Sequence, residues 1–153
     1  MALSSTRPSA CSGTNEVLTS IDFLGHRITK EGAVPLPSKV EAVKGFPRPL
    51  TVKALQEFMG MVNFYHRFVP RAAQFMRPLY EALKGKPTKR AIYWTEEMAT
   101  AFTNAKLALA SATMLAHPSP DAPIALTTDA LDYAVGAVHE QWGNGAWQPL
   151  GFF

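Results

Sequence analysis

Cysteine is almost absent from this sequence, and long apolar runs are missing. Cys11 is the only cysteine among 153 residues, so no disulfide can form within the chain and an intracellular setting is expected. The four histidines lie far apart and have no cysteine partner, which argues against a zinc site. The longest apolar runs contain only a few residues, whereas a membrane helix needs about 20. We therefore expect neither a transmembrane segment nor a membrane partner.

The N-terminal segment is rich in Ser and Thr but lacks the apolar core of a secretory signal peptide. A transit peptide is the alternative, although Arg7 is the only basic residue available to it. We expect residues 1–20 to be a disordered or unrelated leader, and the chain to be cytoplasmic or nuclear.

The net charge of +3 is distributed unevenly along the chain. Residues 26–90 hold 13 Lys and Arg against 4 Glu, a net charge of +9, whereas residues 91–153 carry −5 and residues 1–25 carry −1. A basic segment of this size favours a polyanionic partner such as nucleic acid. Two separately solvated surfaces are the other interpretation, and composition does not decide between them.

The segment before residue 50 has the pattern of a β-hairpin followed by a short helix. Residues 21–28 have the composition of a strand, and residues 30–32 form a turn before a second apolar run. Ser38 and Glu41 have the spacing of a capping box, which predicts a helix N-terminus, and Gly45 ends this helix after about two turns.

Residues 51–69 have the strongest helical periodicity in the chain. Thr51 is a suitable N-cap and Pro70 ends the segment. Gly60, in the middle, costs about 1 kcal/mol relative to Ala, which suggests the close approach of another backbone. The apolar stripe consists of Val52, Leu55, Met59, Val62 and either Tyr65 or Phe68. The polar residues that fall largely off this stripe, and so face solvent or phosphate, are Lys53, Gln56, Asn63 and Arg67.

Two further helices and a proline-rich linker follow. The first helix is expected to bend or restart at Pro78 and to end near Gly85. The second begins at Thr95 as its N-cap, and its buried stripe consists of Met98, Phe102, Ala105 and Leu109. Three prolines then keep residues 118–123 extended, which predicts a domain boundary.

Residues 124–153 predict three short antiparallel strands. The first strand ends on Asp129, a charge that a core would normally exclude, and residues 143–145 form a tight turn before the third strand. Phe152 and Phe153 have nothing after them to cover them, so we expect the sheet to be cut in mid-domain.

Taken in order, these motifs resemble the polymerase-to-ribonuclease H portion of reverse transcriptases from Ty3/gypsy long-terminal-repeat retrotransposons. The resemblance runs from about residue 21 to 153, in the order and spacing of the family. The motifs that carry it are FLGHRITKEG, PSKVEAVKGFPRPLTVKALQEFMGMVNFYHRFVP, RPLYEALKGK, WTEEMATAFTNAKLALASATMLAHP, LTTDALDYAVGAVHEQ and WQPLGFF.

The resemblance implies an α/β fold of the α+β type. An N-terminal β-hairpin and a helical thumb and connection would precede the first strands of a truncated, ribonuclease H-like mixed sheet. The implied segments are a palm-end or primer-grip hairpin (21–37), thumb helices (38–70), connection helices (71–117), the linker (118–123) and a partial ribonuclease H-like domain (124–153).

The resemblance also implies a nucleic-acid surface. The FLGH motif corresponds to the primer grip, which holds the primer terminus, and the thumb helix would lie along the primer-template duplex and contact its backbone without reading sequence. The implied partners are an RNA/DNA hybrid or primer-template duplex and the remainder of the polyprotein. The candidate nucleic-acid-binding residues are Phe23, Leu24, Gly25, His26, Lys53, Gln56, Asn63 and Arg67.

Asp129 matches the first of the carboxylates that hold two Mg²⁺ ions in ribonuclease H folds, and it is the candidate catalytic and metal residue. Thr127 lies on the same face of the strand as Asp129. Gly136 and Ala137 have small side chains, so the neighbouring strand leaves room where an RNA backbone would approach. One carboxylate does not satisfy two hard cations, so Mg²⁺ belongs to the intact parent enzyme and no tight binding to this chain is expected. In some vertebrate retroviruses the domain at this position resembles a degenerate copy used as a connector, which is the alternative.

These implications lead to three hypotheses. The first is a fragment of a retrotransposon RNA-directed DNA polymerase with ribonuclease H, which contributes hybrid binding and one carboxylate and is inactive alone. The polymerase aspartates and the later ribonuclease H carboxylates of the family are missing from this sequence. The second is a non-enzymatic transposon remnant that binds nucleic acid weakly. The third is a pseudogene product without a stable function.

Overall fold

The computed structural model describes residues 19–85, 90–132 and 134–153. Helices combine with antiparallel sheets, which confirms the predicted α+β class. The predicted leader, residues 1–20, lies almost wholly outside the described residues. In chain order the elements are β1 (Ser20–Phe23), β2 (His26–Thr29), β3 (Ala33–Pro35), α1 (Pro37–Lys44), α2 (Val52–Phe64), a 3₁₀ turn (His66–Phe68), α3 (Ala72–Leu83), α4 (Glu96–Ala110), β4 (Ile124–Leu131), β5 (Ala134–Gly143) and β6 (Ala146–Phe152).

The N-terminal sheet has the strand order β1-β2-β3 in the described part of the chain, so the single strand predicted over residues 21–28 is wrong. The chain reverses at Leu24 and Gly25, whose φ angles of 46° and 79° form a tight turn between twisted antiparallel strands. Phe23 pairs with His26 across this turn. The apolar Leu24 concealed the turn, because leucine seldom adopts a positive φ.

Helix α1 has its N-cap two residues before the predicted Ser38. Leu36 is the N-cap and makes no side-chain capping bond, and Pro37 occupies the first turn. Proline favours this position because it lacks the N–H that a cap would satisfy and its φ is already helical. The predicted cap at Ser38 is therefore wrong.

Helix α2 begins as predicted but ends before Pro70. The Thr51 hydroxyl accepts a hydrogen bond from the Ala54 N–H over 3.2 Å, which confirms the N-cap. The helix ends at Phe64, and Tyr65 leaves helical geometry with φ −105° and ψ 7°. The 3₁₀ turn then carries the chain to Val69, which is extended, as the residue before a proline prefers.

Helices α2, α3 and α4 bury their apolar stripes in one core. The Thr95 hydroxyl accepts a hydrogen bond from the Met98 N–H, which confirms the N-cap of α4. Helix α3 continues through Pro78 rather than restarting there. The predicted stripes of α2 and α4 are buried as expected, and the largest fully buried side chains of the core include Phe58, Phe68, Leu55, Met76, Leu79 and Leu109.

Strands β4, β5 and β6 form the predicted antiparallel meander. Asn144 and Gly145 form its second turn with positive φ angles, a combination that suits a two-residue hairpin. The sheet packs on the helices: Phe152 joins the helical core, which corrects the expectation that it is uncovered, whereas Phe153 is 63% exposed.

The proline-rich linker is tied to this sheet. Gln141, a buried polar residue of β5, donates through Nε2 to the His117 carbonyl and accepts through Oε1 from the Ser119 N–H. The Trp142 N–H also donates to the Pro123 carbonyl over 2.8 Å. These contacts hold residues 117–123 against β5. No helix among the described residues has the length and hydropathy needed to cross a bilayer.

Candidate nucleic-acid surface and carboxylate site

The turn between β1 and β2 exposes part of the predicted primer-grip motif. Phe23 and Leu24 are 58% and 72% exposed. Gly25 faces inward, where its carbonyl accepts from the Tyr65 hydroxyl over 3.0 Å and from the Leu36 N–H over 2.9 Å. A Cβ at position 25 would lie 2.7 Å from the Tyr65 hydroxyl oxygen, so this contact and the positive φ both require glycine.

The His26 ring packs between the hairpin and the end of α2. Its centroid lies 5.4, 5.6 and 5.3 Å from the ring centroids of Phe64, Tyr65 and Phe68. Its Nε2 atom is buried and has no hydrogen-bond partner among the described residues. This position fixes the hairpin against α2 and does not present the imidazole to a ligand.

One exposed face of α2 carries most of the polar candidates. Lys53, Gln56, Gly60 and Asn63 are all exposed and recur at three- and four-residue spacing, so they line one face of the helix. We call these four residues the α2 stripe. A Cβ at Gly60 would have no atom within 4 Å, so the close approach expected there is not made by any described residue. The glycine instead leaves an open gap in the middle of the α2 stripe.

The four predicted polar candidates differ in their intramolecular contacts. Asn63 Oδ1 accepts from the Tyr80 hydroxyl over 2.6 Å. Arg67 Nη2 donates to the Leu150 carbonyl over 3.4 Å, which links the 3₁₀ turn to β6. Lys53 and Gln56 make no side-chain hydrogen bond or ion pair within the described ranges. These last two are therefore the side chains most available to a ligand.

A groove of about 710 Å³ lies between the hairpin turn and the part of α2 around Gly60. Leu24 and Gly25 line it from the hairpin, and Gly60 and Phe64 line it from α2. Gly60 is the residue of the α2 stripe that lines this groove, next to the acidic Glu57, whereas Lys53, Gln56 and Asn63 lie outside its lining.

Asp129 lies on a different surface, on β4 opposite Gly136 of β5. It lines a cavity of about 170 Å³ together with Thr127, Gly136 and Arg71. Strand alternation places Thr127 on the same face, as expected. Gly136 pairs with Asp129 and Ala137 pairs with Thr128, and both small residues line the cavity.

Arg71 is the neighbour of Asp129 that sequence patterns did not indicate. Its Nη2 atom lies 3.9 Å from Asp129 Oδ2, and the two side chains are 71% and 53% exposed. An exposed pair at this distance contributes at most about 1 kcal/mol, so the carboxylate is not locked in place. The pair joins the start of α3 to β4, and no local pattern could have revealed a contact between such distant segments.

The described residues do not fit the two Mg²⁺ ions of a ribonuclease H centre. No group of three or more His, Cys, Asp and Glu side chains in the described ranges is arranged to hold a metal ion. Mg²⁺ requires a near-octahedral shell of oxygen ligands, whereas Asp129 faces a guanidinium. The carboxylate alone is not a metal centre.

Comparison with protein families assigns the C-terminal part of the chain. Residues 94–153 match the model of the RNase H-like domain found in reverse transcriptase. The match begins just before α4 and includes the linker and strands β4–β6.

Curated relatives extend the similarity to most of the chain. The retrovirus-related Pol polyprotein from transposon opus of Drosophila melanogaster is 33% identical over 142 residues, which cover 88% of this chain and 14% of that polyprotein. The transposon Tf2-3 polyprotein of Schizosaccharomyces pombe is 32% identical over 136 residues, which cover 88% of this chain and 10% of that polyprotein. The chain thus spans a small part of the length of these relatives.

Solved structures share the fold. A foamy viral protease-reverse transcriptase in complex with an RNA/DNA hybrid has a TM-score of 0.74 and 24% identity, with 88% of this chain and 18% of that chain covered. The same viral protein in complex with double-stranded DNA has the same TM-score and identity, with 28% of that chain covered.

These comparisons show what the chain is similar to. Residues 94–153 resemble the RNase H-like domain found in reverse transcriptase. The chain is homologous, over 88% of its length, to a segment of Ty3/gypsy-type retrotransposon polyproteins such as those of opus and Tf2, which confirms the resemblance found in the sequence.

Proposed function

We propose that this chain is the part of a retrotransposon reverse transcriptase–ribonuclease H that grips an RNA/DNA hybrid or primer-template duplex. The single observation that carries the proposal is the exposed α2 stripe, whose open position at Gly60 lines a groove together with the Leu24–Gly25 turn. The complexes of the structurally similar foamy viral enzyme with double-stranded DNA and with an RNA/DNA hybrid support it.

The segments have the roles that the resemblance implies. Residues 21–37 act as the primer grip, 38–70 as the thumb and 71–117 as the connection, and residues 118–123 link them to the strands of a partial ribonuclease H-like domain at 124–153. The family match to the RNase H-like domain begins earlier, at residue 94, so it also includes the second half of the proposed connection. Phe23 and Leu24 are then the parts of the grip that touch the primer terminus, because they are exposed. Gly25 and His26 support the grip from behind, because both face α2.

The α2 stripe contacts the sugar-phosphate backbone. Lys53 supplies a flexible positive charge and Gln56 supplies an amide, and such groups position a duplex without reading its sequence. Gly60 lets the duplex approach the helix closely, because no side chain fills the gap. Arg67 contributes less direct binding than Lys53, since its guanidinium already donates to Leu150.

Asp129 is the first carboxylate of a ribonuclease H centre, and no second and third carboxylate cluster with it among the described residues. Hydrolysis of RNA by the parent enzyme would use two Mg²⁺ ions, which the described residues of this chain do not hold by themselves. The described residues therefore offer a binding surface but no metal centre of their own.

A non-enzymatic, transposon-derived protein that binds nucleic acid weakly is the second candidate. The pairing of Asp129 with Arg71, and not with a second carboxylate, favours it. The flanking genomic sequence discriminates the two: an open frame with an upstream Tyr-x-Asp-Asp motif and downstream strand-borne Asp and Glu supports the enzyme segment, and interrupted frames support the remnant.

Fluorescence anisotropy with a labelled RNA/DNA hybrid tests the proposal. We expect binding that weakens as salt rises, because the bound cations release counterions from the duplex. Lys53→Gln should weaken binding and reduce the slope of log K against log salt by about one unit. The matched control is Lys30→Gln, which removes the same charge from the 89%-exposed lysine at the opposite end of β2. Equal effects of the two substitutions, or no binding at all, would refute the proposal.

A further inference from the structure

We infer that Tyr65 is a positioning residue that holds the Leu24–Gly25 turn against α2, so that the turn and the α2 stripe bind one duplex as a single rigid surface. The inference rests on the proposed function, because it names the residue that aligns two parts of the proposed duplex-binding surface.

Tyr65 is placed for this role by the way α2 ends. The helix stops at Phe64, and the non-helical backbone of Tyr65 directs its side chain into the interior, where only 4% of the residue stays exposed. From there its hydroxyl reaches the Gly25 carbonyl over 3.0 Å, a residue 40 positions away. A hydrogen bond is directional, whereas apolar contact is not, so this bond sets where the turn sits.

The surrounding rings restrict the turn to that position. His26 packs against Phe64, Tyr65 and Phe68, and the Phe64 and Tyr65 rings meet edge to face with centroids 4.8 Å apart. Strand β1 is exposed along its whole length, and its pairing with β2 and the Arg27–Asp22 ion pair hold it within the hairpin and not against α2. The orientation of the turn therefore depends on the contacts made by Gly25 and His26.

The turn is fixed at a place where a duplex on the α2 stripe would meet it. Leu24 lines the same groove as Gly60 and Phe64, and 72% of Leu24 is exposed. A turn free to swing would contact the same duplex only part of the time, and ordering it on binding would weaken affinity.

Tyr65→Phe is the variant that tests this role. It removes the hydroxyl and keeps the ring, and the Gly25 carbonyl keeps its bond from the Leu36 N–H, so the fold should persist. We expect the affinity for a hybrid with a recessed 3′ DNA end to fall about three- to tenfold, the size of effect that one lost hydrogen bond produces. Circular dichroism and the melting temperature report whether the fold is intact.

A second substitution separates positioning from a structural effect. Leu24→Asn removes the exposed apolar side chain at the turn between β1 and β2, and asparagine tolerates the positive φ of this position. We expect Leu24→Asn to weaken hybrid binding more in the wild-type chain than in the Tyr65→Phe chain, because a loosened turn contacts the duplex only part of the time. Lys53→Gln should weaken binding by the same factor in both chains, because the α2 stripe does not depend on the tyrosine.

Gly25→Ala tests the same contact from the hairpin side. Its Cβ would lie 2.7 Å from the Tyr65 hydroxyl oxygen, so we expect a loss of affinity like that of Tyr65→Phe. The inference is overturned if both variants bind the hybrid as tightly as the wild type, or if Leu24→Asn weakens binding equally in the presence and absence of the hydroxyl. If the wild-type chain binds no hybrid, the proposed function itself fails. If Lys53→Gln weakens binding while the Tyr65 and Gly25 variants do not, only this inference fails.

Discussion

Gln141 Nε2 donates a hydrogen bond to the His117 carbonyl over 2.7 Å, and this contact ties the proline-rich linker to the middle strand of the C-terminal sheet. The same side chain accepts from the Ser119 N–H over 2.9 Å. Gln141 is only 5% exposed, so both backbone groups depend on a buried amide. The linker is therefore held by a specific polar contact as well as by the stiffness of its prolines.

Replacing Gln141 by Leu should lower the free energy of unfolding by about 1–3 kcal/mol, because backbone groups of the linker lose their buried partner. Urea unfolding followed by tryptophan fluorescence measures this change, and three tryptophans are available as probes. Gln56→Leu is the matched control, since Gln56 is exposed and makes no such bond. A change below about 0.5 kcal/mol at Gln141 would mean that the linker does not depend on this side chain.

Local patterns predicted the helices well, and the turns and contacts less well. The buried stripe that contains Val52, Leu55 and Met59 could be predicted, because burial of one helix face places apolar residues three and four positions apart in the sequence. The turn at Leu24 could not be predicted, because leucine is not a typical turn residue and its positive φ is not apparent from the sequence. The cap at Ser38 failed because Pro37 satisfied the helix start by a different rule.

The candidate sites divide in the same way. Family motifs indicated Asp129 and the polar face of α2, whereas the roles of Tyr65 and Arg71 required coordinates. The sequence indicated Tyr65 only as an apolar position of the helix. Its hydrogen bond to the Gly25 carbonyl joins residues 40 positions apart, which no local pattern reveals. Contacts between distant segments depend on tertiary packing, and helix or strand periodicity carries no information about them.

Gly60→Ala should stabilise the chain but weaken hybrid binding. Alanine has the higher helix propensity, and a Cβ at this position meets no atom within 4 Å, so we expect the free energy of unfolding to rise by up to about 1 kcal/mol. The same methyl group would intrude into the gap of the α2 stripe. Urea unfolding and hybrid anisotropy on one preparation measure both effects. Stabilisation without loss of affinity would place the duplex elsewhere.

The Tyr65 phenol should make stability depend on pH in the alkaline range. Burial raises the pKa of Tyr65 above its ordinary value of 10.0. Below pH 10 the phenol is neutral in the folded and unfolded chains, and its contribution to stability is complete. As pH rises through the unfolded and then the folded pKa, the unfolded chain loses its proton first, so that contribution is lost.

We therefore expect the wild-type chain to lose more stability above pH 10 than Tyr65→Phe loses. Urea unfolding between pH 8 and 11 measures the difference, and the Phe variant cancels the titration of the other groups. Parallel curves for the two chains would show that the hydroxyl is not buried in solution.

The chain alone should show no Mg²⁺-dependent cleavage of the RNA strand in a hybrid, because one carboxylate beside an arginine does not hold two metal ions. Gel analysis of end-labelled RNA measures this. Asp129→Asn should leave hybrid affinity unchanged or raise it, since it removes a negative charge beside Arg71. Cleavage by the wild-type chain that Asp129→Asn abolishes would contradict this description of the site.

The most direct test of the central claim is a titration of the ¹⁵N-labelled chain with an RNA/DNA hybrid, followed by the chemical shifts of the backbone amides. We expect the largest changes in amide chemical shift at Leu24, Lys53, Gln56, Gly60 and Asn63. The amides on the opposite, buried face of α2 should change little. Shifts concentrated on α4 or on the turn at Asn144, with the α2 stripe unchanged, would contradict the claim that this face of the helix binds the duplex.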